Sequence, residues 1–435
     1  MSNRYLELQP SNIPPNQTIS YAGGNPIVSF DVAMSPADLI GGSVRLFGNL
    51  KVTTDGSTTP TPASTLAMDS RLGVLGLFSD VVISSTRTKQ VIEHIRHYDR
   101  FMASYYPLTA SNEDINGHLS QATLSTGSLQ GSQGQVLQQG DDKHNQFCVF
   151  TPTGFLQSGE PIPLDHIGGV TIDYHLNPDS QFLFDTAGTP VASGLSGAQY
   201  SLEGLRLSCE VHDRSAEEQA EADRRKMNGF EYNSISSYYS TINATNGILN
   251  YSLGLSRVKS VFMNFIQSSY LQNLAQNSLQ TIMPIIKGSG GTSGAIADIE
   301  QIVFTRGGVR FPEAYNLDTN YKEDSNVSVV DPQVVRNFQD AIAPFSDMNR
   351  NVMSPVVANR NWSSNDNEVL DGGLVYGVGM NYDNLGGDGV DFSRTNWGVQ
   401  IVSKLTDDNP ISVFVFVHAK QTLLFSEGQG IQVIN

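Results

Sequence analysis

The sequence predicts an all-β chain of two similar domains in tandem, with a few short helices. Three observations predict it: segments in which apolar and polar residues strictly alternate, a composition rich in strand and loop formers, and motifs of the first half that recur in the second. The 435 residues suffice for two or three domains, each able to bury its own core. Hydrophobic residues make up 39% and charged residues only 16%. The balance is Ser, Thr, Asn, Gln and Gly, which suits short strands and polar loops more than helices.

Val170, Ile172, Tyr174 and Leu176 point one way, and Thr171, Asp173 and His175 the other. Leu205, Leu207, Cys209 and Val211 repeat the pattern against Arg206, Ser208 and Glu210. A period of two marks half-buried strands. Ile411 to Val417 is nearly all β-branched or Phe, as in a more deeply buried strand.

Helical signals are few. Val91, Ile92, Ile95, Tyr98, Phe101, Met102 and Tyr105 recur at three- and four-residue spacing and stop before Pro107, which predicts a helix over 91–106. Asp331-Pro332 begins a second helix, with Val335, Phe338 and Ile342 on one face, ending near Pro344. Ser215 to Met227 carries acids first and bases last, which suits the helix dipole, and is polar almost all round. It reads as a linker rather than a core element. The expected organisation is an N-terminal arm (1–18), a first domain (19–213), the linker helix (214–227) and a second domain (228–435).

The two halves echo each other. Leu77-Phe78-x-Asp80-Val81-Val82-x-Ser84-Ser85 matches Val261-Phe262-x-Asn264-Phe265-Ile266-x-Ser268-Ser269, and Gly169-Val170-x-Ile172-x-x-x-Leu176 matches Gly398-Val399-x-Ile401-x-x-x-Leu405. A helix is expected between the two motifs in each half. The segments Thr53–Thr65, Leu119–Gly140, Lys287–Gly294 and Trp362–Asp391 read as loops. The longer ones hold too little apolar area to order themselves, so contacts between subunits are expected to order them.

The formal net charge of −17 argues against nucleic-acid binding by the whole chain, and Met1 to Pro10 carries one base and one acid rather than a basic arm. Cys148 and Cys209 form no metal motif and are expected to be buried thiols. The start is polar, without an apolar leader, and no apolar stretch approaches the ~20 residues of a membrane helix, so a soluble protein is expected.

Catalytic signatures are missing from the sequence. Lys287-Gly-Ser-Gly-Gly-Thr-Ser-Gly has neither the dinucleotide spacing nor a following Gly-Lys-Ser/Thr, and no Gly-x-Ser-x-Gly elbow occurs. His94 and His97 could share a helical face as metal ligands, but ordinary surface or interface histidines are the simpler reading. Asp383, Asp388 and Asp391 lie in a glycine-rich loop whose oxygens suit Ca²⁺, without the EF-hand spacing or its final Glu. A solvated turn is the simpler reading there too.

Several segments carry a family resemblance. They are Leu75-Gly-Leu-Phe-Ser-Asp-Val-Val-Ile followed by Val91-Ile-Glu-His-Ile-Arg-His-Tyr-Asp-Arg, then Ile162-Pro-Leu-Asp-His-Ile-Gly-Gly-Val-Thr-Ile, Thr305-Arg-Gly-Gly-Val-Arg-Phe-Pro, Trp397-Gly-Val-Gln-Ile and Ile411 to Ala419. Together they resemble the double jelly-roll major capsid proteins of the lineage of tailless membrane-containing phages, adenovirus hexon and virophage capsids. The likeness covers about residues 19 to 435 and its motifs are diffuse. It implies two tandem eight-stranded jelly-roll barrels and homotrimeric, pseudo-hexagonal capsomers of an icosahedral virus shell. It implies neighbouring capsomers, penton and minor capsid proteins and an internal viral membrane as partners. The implied place is the virion capsid, assembled inside a host cell. The family carries no catalytic residues and no cofactor, so no enzyme is expected. The alternative is a virion spike or carbohydrate-binding β-module; a glycan-active enzyme on a β-sandwich is a more distant third.

Overall fold

A computed structural model describes residues 3–14, 17–61, 63–69, 72–109, 120–124, 145–157, 159–243, 246–279, 299–312, 317–318, 336–342, 377–383, 388–403, 410–426 and 430–435. The first domain runs through β1 (Asn3–Leu8), β2 (Ile27–Val32), β3 (Ala37–Thr53), β4 (Leu66–Met68), β5 (Phe78–Ser85), β6 (Val91–Arg96), β7 (Gln146–Phe150), β8 (Ile162–Pro163), β9 (Val170–Leu176), β10 (Leu183–Asp185) and β11 (Gln199–Asp213). The second runs through β12 (Phe230–Ile242), β13 (Asn246–Tyr251), β14 (Val258–Gln267), β15 (Ile299–Arg306), β16 (Val309–Arg310), β17 (Leu317–Asp318), β18 (Val378–Asn381), β19 (Trp397–Ser403), β20 (Ile411–Ser426) and β21 (Gly430–Ile434).

Each domain packs two antiparallel sheets. In the first the strand orders are β1-β11-β3-β7 and β2-β9-β5-β6; in the second they are β12-β20-β14-β18 and β13-β19-β15-β16. With the short strands β4, β8, β10 and β17 and the terminal β21 set aside, eight strands remain per domain. In both, the first, eighth, third and sixth form one sheet, and the second, seventh, fourth and fifth form the other. This interleaving is the jelly roll, and the chain contains it twice.

Topology corrects half of the sequence repeat. β9 and β19 are both seventh strands, so the Gly169 and Gly398 motifs are equivalent. β5 is a fourth strand and β14 a third, so the Leu77 and Val261 motifs sit in different sheets. β14 is apolar and buried on both faces, whereas β5 leaves Ser79, Asp80 and Val82 half-buried, so the two motifs share residue types and not position. Residues 1–18, read as an arm, contribute β1, which pairs with β11 from Asn3↔His212 to Leu8↔Leu207.

The helix expected over 91–106 is two elements. Val91–Arg96 is strand β6, paired with β5, and the helix is Tyr98–Thr109. His97 joins them with a φ of 54°, a left-handed bend that ends the strand. Ile92 and Ile95 fit the helical spacing but face the core from a strand. Of the second expected helix, residues 336–342 are described, and they are helical. The linker helix spans Ala216–Lys226, has no buried residue, and starts with a capping box between Ser215 and Glu218.

Burial explains how the domains join. Val261, Met263, Val413, Val415 and Val417 face the second domain's own core, with Ile302, Phe304, Val399 and Ile401. Phe262, Ile266, Phe414 and Phe416 face the opposite way, into a core continuous with the first domain. β20 is therefore buried on both faces over Ile411–Val417, as its near-unbroken apolar run predicts.

Part of the Thr53–Thr65 loop is described. Asp55 accepts there from the backbone N–H of Ser57 (2.9 Å) and Thr58 (2.6 Å), a local turn at the start of the loop. Most of Leu119–Gly140, all of Lys287–Gly294 and 362–376 lie outside the described residues.

Candidate functional site

The polar groups that matter most lie at the seam between the two jelly rolls. The helix Tyr98–Thr109 is wedged there with Tyr98, Phe101, Met102, Tyr105 and Tyr106 buried, at i, i+3, i+4, i+7 and i+8. Phe101 packs 5.5 Å from Phe416 and 5.9 Å from Phe262, ring centre to ring centre, so the first domain's helix rests on the second domain's sheet.

Arg100 is buried on the same helix. Its Nη1 donates to the Ser278 carbonyl (3.0 Å), its Nη2 to Asn264 Oδ1 (3.2 Å) and the Phe265 carbonyl (3.3 Å), and its guanidinium lies 5.1 Å from the Phe414 ring centre. Asn264 donates back to the Arg100 carbonyl and to Ser104 Oγ, both at 2.8 Å. Beside it, Asp99 accepts from Gln181 (2.9 Å) and Asn177 (3.1 Å), and burial raises its carboxyl above the usual range.

Glu93, on β6, is the second staple. Its Oε1 accepts from the N–H of Ile235 (2.7 Å), in β12, and of Gly154 (3.2 Å); its Oε2 accepts from the N–H of Phe155 (2.9 Å). One carboxylate thus ties both domains by backbone donors. Burial pushes it up to about 7, against the pull of those N–H groups. The chains approach closely here: a Cβ on Gly154 would lie 2.3 Å from the Asn233 carbonyl oxygen. Nearby, Tyr232 Oη lies 3.0 Å from the Ile92 carbonyl, and the Arg96 N–H donates to Ser237 Oγ at 2.8 Å.

A third cluster anchors the linker helix to the first domain. Arg214 forks between Asp38 and Asp165, donating to Asp165 Oδ1 at 2.9 Å. Asp165, His166 and Asp223 bring three possible metal-ligand atoms within 4.8 Å of one another, the one such group among the described residues. Gln219 Nε2 already donates to Asp165 (2.9 Å) and Asp223 (3.2 Å), and His166 Nε2 meets Asp223 at 3.1 Å. Hydrogen bonds link these three side chains to one another and to Gln219.

The sequence candidates stand apart from these clusters. His94 lies on strand β6, 3.3 Å from Asp80, and the His97 ring lies against Phe414 and Tyr239. They share no helical face. Asp391 caps a turn by accepting from the Ser393 N–H at 2.8 Å, and the Asp383 N–H donates to Asn381 at 2.9 Å. Asp383, Asp388 and Asp391 do not converge as ligands. Cys209 is buried and Cys148 half-buried, and burial raises both thiols. Among the described residues no helix is long and apolar enough to cross a membrane. Glu93, Arg100, Asn264 and Arg214 carried no sequence signal beyond being polar residues beside apolar ones.

No protein-family model matches the sequence, and no curated protein matches it. Solved structures do. The Faustovirus major capsid protein aligns with a TM-score of 0.60 at 10% identity, covering 98% of this chain and 90% of that one. A chain of the PBCV-1 virus capsid aligns at 0.59 and 11% identity, covering 100% and 96%. PBCV-1 VP54, fitted into a reconstruction of the virophage Sputnik, aligns at 0.58 and 13% identity, also covering 100% and 96%. The likeness spans both domains and their junction, and agrees with the strand orders: the fold is a double jelly roll.

Proposed function

We propose that this chain is a viral major capsid protein that forms homotrimeric, pseudo-hexagonal capsomers of an icosahedral shell. One observation carries the reading: two jelly rolls of identical strand order, fused through a continuous buried seam, alike over their whole length to capsid chains. Two equivalent barrels held rigidly side by side present two equivalent outer edges, and three copies around an axis present six. Exposed Tyr5 on edge strand β1 and Ile248 on edge strand β13 offer apolar contacts at such edges. Neighbouring capsomers, penton and minor capsid proteins and an internal membrane are the partners that follow, and the virion is the place. The role is structural rather than enzymatic.

The net charge of −17 supports a shell that contacts its genome weakly or through other components. Negative-stain electron microscopy of the purified full chain tests the proposal. Pseudo-hexagonal particles or closed shells are expected; single two-lobed particles would overturn it.

A further inference from the structure

The second domain carries an open cleft of about 680 Å³ beside the β15–β16 hairpin, bordered by Arg306, Val309, Arg310, Phe311, Pro312 and Asp391. The hairpin turns tightly through Gly307 and Gly308, with φ of 59° and 81°, a left-handed pair that glycine adopts without strain. Arg306 pairs with Val309, and the Phe311 N–H donates to the Phe304 carbonyl at 2.9 Å. By strand alternation, Arg306, Val309 and Phe311 share one face of the hairpin.

Arg306 is held firmly. Its guanidinium carbon lies 5.7 Å from the Phe311 ring centre and 5.6 Å from that of Phe392, between two aromatic groups. Nη2 donates to the Asp391 carbonyl at 2.7 Å, and Nε lies 3.4 Å from Thr395 Oγ1. Its Nη1 has no partner among the described residues. The rings behind it are themselves fixed: Phe311 stacks on Tyr382 at 5.8 Å, and Tyr382 accepts from Trp397 Nε1 at 2.8 Å.

We propose that this cleft binds a pyranose sugar. A pyranose has an apolar C–H face and a rim of hydroxyls that both donate and accept. The cleft matches both: Phe311, Pro312 and Val309 supply an apolar wall, Arg306 and Arg310 are cationic donors, and the exposed Asp391 carboxylate accepts. A few placed polar groups on an apolar wall are the usual make-up of a small-ligand site. The cleft stands independently of the capsid reading, since a sugar site fits a capsid surface or any other β-module.

Saturation-transfer difference NMR on the full chain tests it, with methyl glucopyranoside, galactopyranoside and mannopyranoside as probes and glycerol as an open-chain control. At least one pyranoside gives signal, glycerol gives none, and the signal is lost in Arg306→Lys, which keeps charge but loses the fork. Asp391→Ala, at an exposed side chain, also abolishes it while the β-rich circular-dichroism spectrum is retained. If no pyranoside gives signal, if glycerol matches the sugars, or if the signal survives in both variants, the proposal is overturned.

Discussion

Arg100 and Asn264 exchange hydrogen bonds across the boundary between the two jelly rolls: Arg100 Nη2 donates to Asn264 Oδ1 at 3.2 Å, and Asn264 Nδ2 returns to the Arg100 carbonyl at 2.8 Å. A buried cation held by neutral oxygens from the other domain makes the two folding units one. Arg100→Met keeps length and apolar contact but strips the donors, leaving Asn264, Phe265 and Ser278 oxygens unsatisfied. It is expected to cost about 3 kcal/mol and to split a single denaturant transition into two. A loss below about 1 kcal/mol, typical of a surface contact, with one transition retained, contradicts this role.

Glu93 gives the seam a pH dependence of defined sign. Its folded-state value of about 7 lies above its ordinary 4.5, so the folded chain holds the proton more tightly than the unfolded chain. The stability this group contributes is full below about 4.5 and is lost as pH rises through about 7. The swing is up to about 3 kcal/mol. Urea unfolding at pH 5, 6, 7 and 8 compares wild type with Glu93→Gln, which cannot titrate. The difference between them narrows or changes sign with pH; a constant difference sinks the assignment.

Gly154 is where backbone meets backbone. Gly154→Ala forces a Cβ toward the Asn233 carbonyl and is expected to cost about 1–3 kcal/mol. Gly42→Ala, with nothing within 4 Å of its Cβ position, serves as the control. Equal melting temperatures for the two variants would show that the seam yields at this point.

The linker helix depends on its cap. Ser215 Oγ accepts from the Glu218 N–H (3.3 Å), and Glu218 Oε2 accepts from the Ser215 N–H (2.7 Å). Ser215→Ala removes one arm and is expected to cost about 1 kcal/mol locally. Hydrogen exchange at Glu217 and Glu218 then quickens while β11 and β12 stay protected. Unchanged exchange argues that the Arg214 network alone starts the helix.

Strand identity and domain duplication were legible because burial on one face writes a period of two into Val170–Leu176 and Leu205–Val211. The linker helix was legible because its charge order is local. The seam was not. Glu93, Arg100 and Asn264 are polar residues whose partners in the other elements lie between 61 and 178 positions away in the chain, and no local pattern marks a polar side chain as inward-facing. The false helix at 91–96 has the same origin: Ile92 and Ile95 fit a helical period, while the left-handed bend at His97 is held by distant partners, its N–H donating to Asp80 Oδ1 at 3.2 Å and its ring lying against Phe414. The Val261 motif misled because a strand buried on both faces, such as β14, loses the alternation that would place it.

The mass of the full chain in solution, measured by light scattering after size exclusion at low micromolar concentration, tests the capsid assignment most directly. The account predicts a stable particle of three 47.2 kDa chains that persists on dilution. A clean monomer of 47.2 kDa would contradict it.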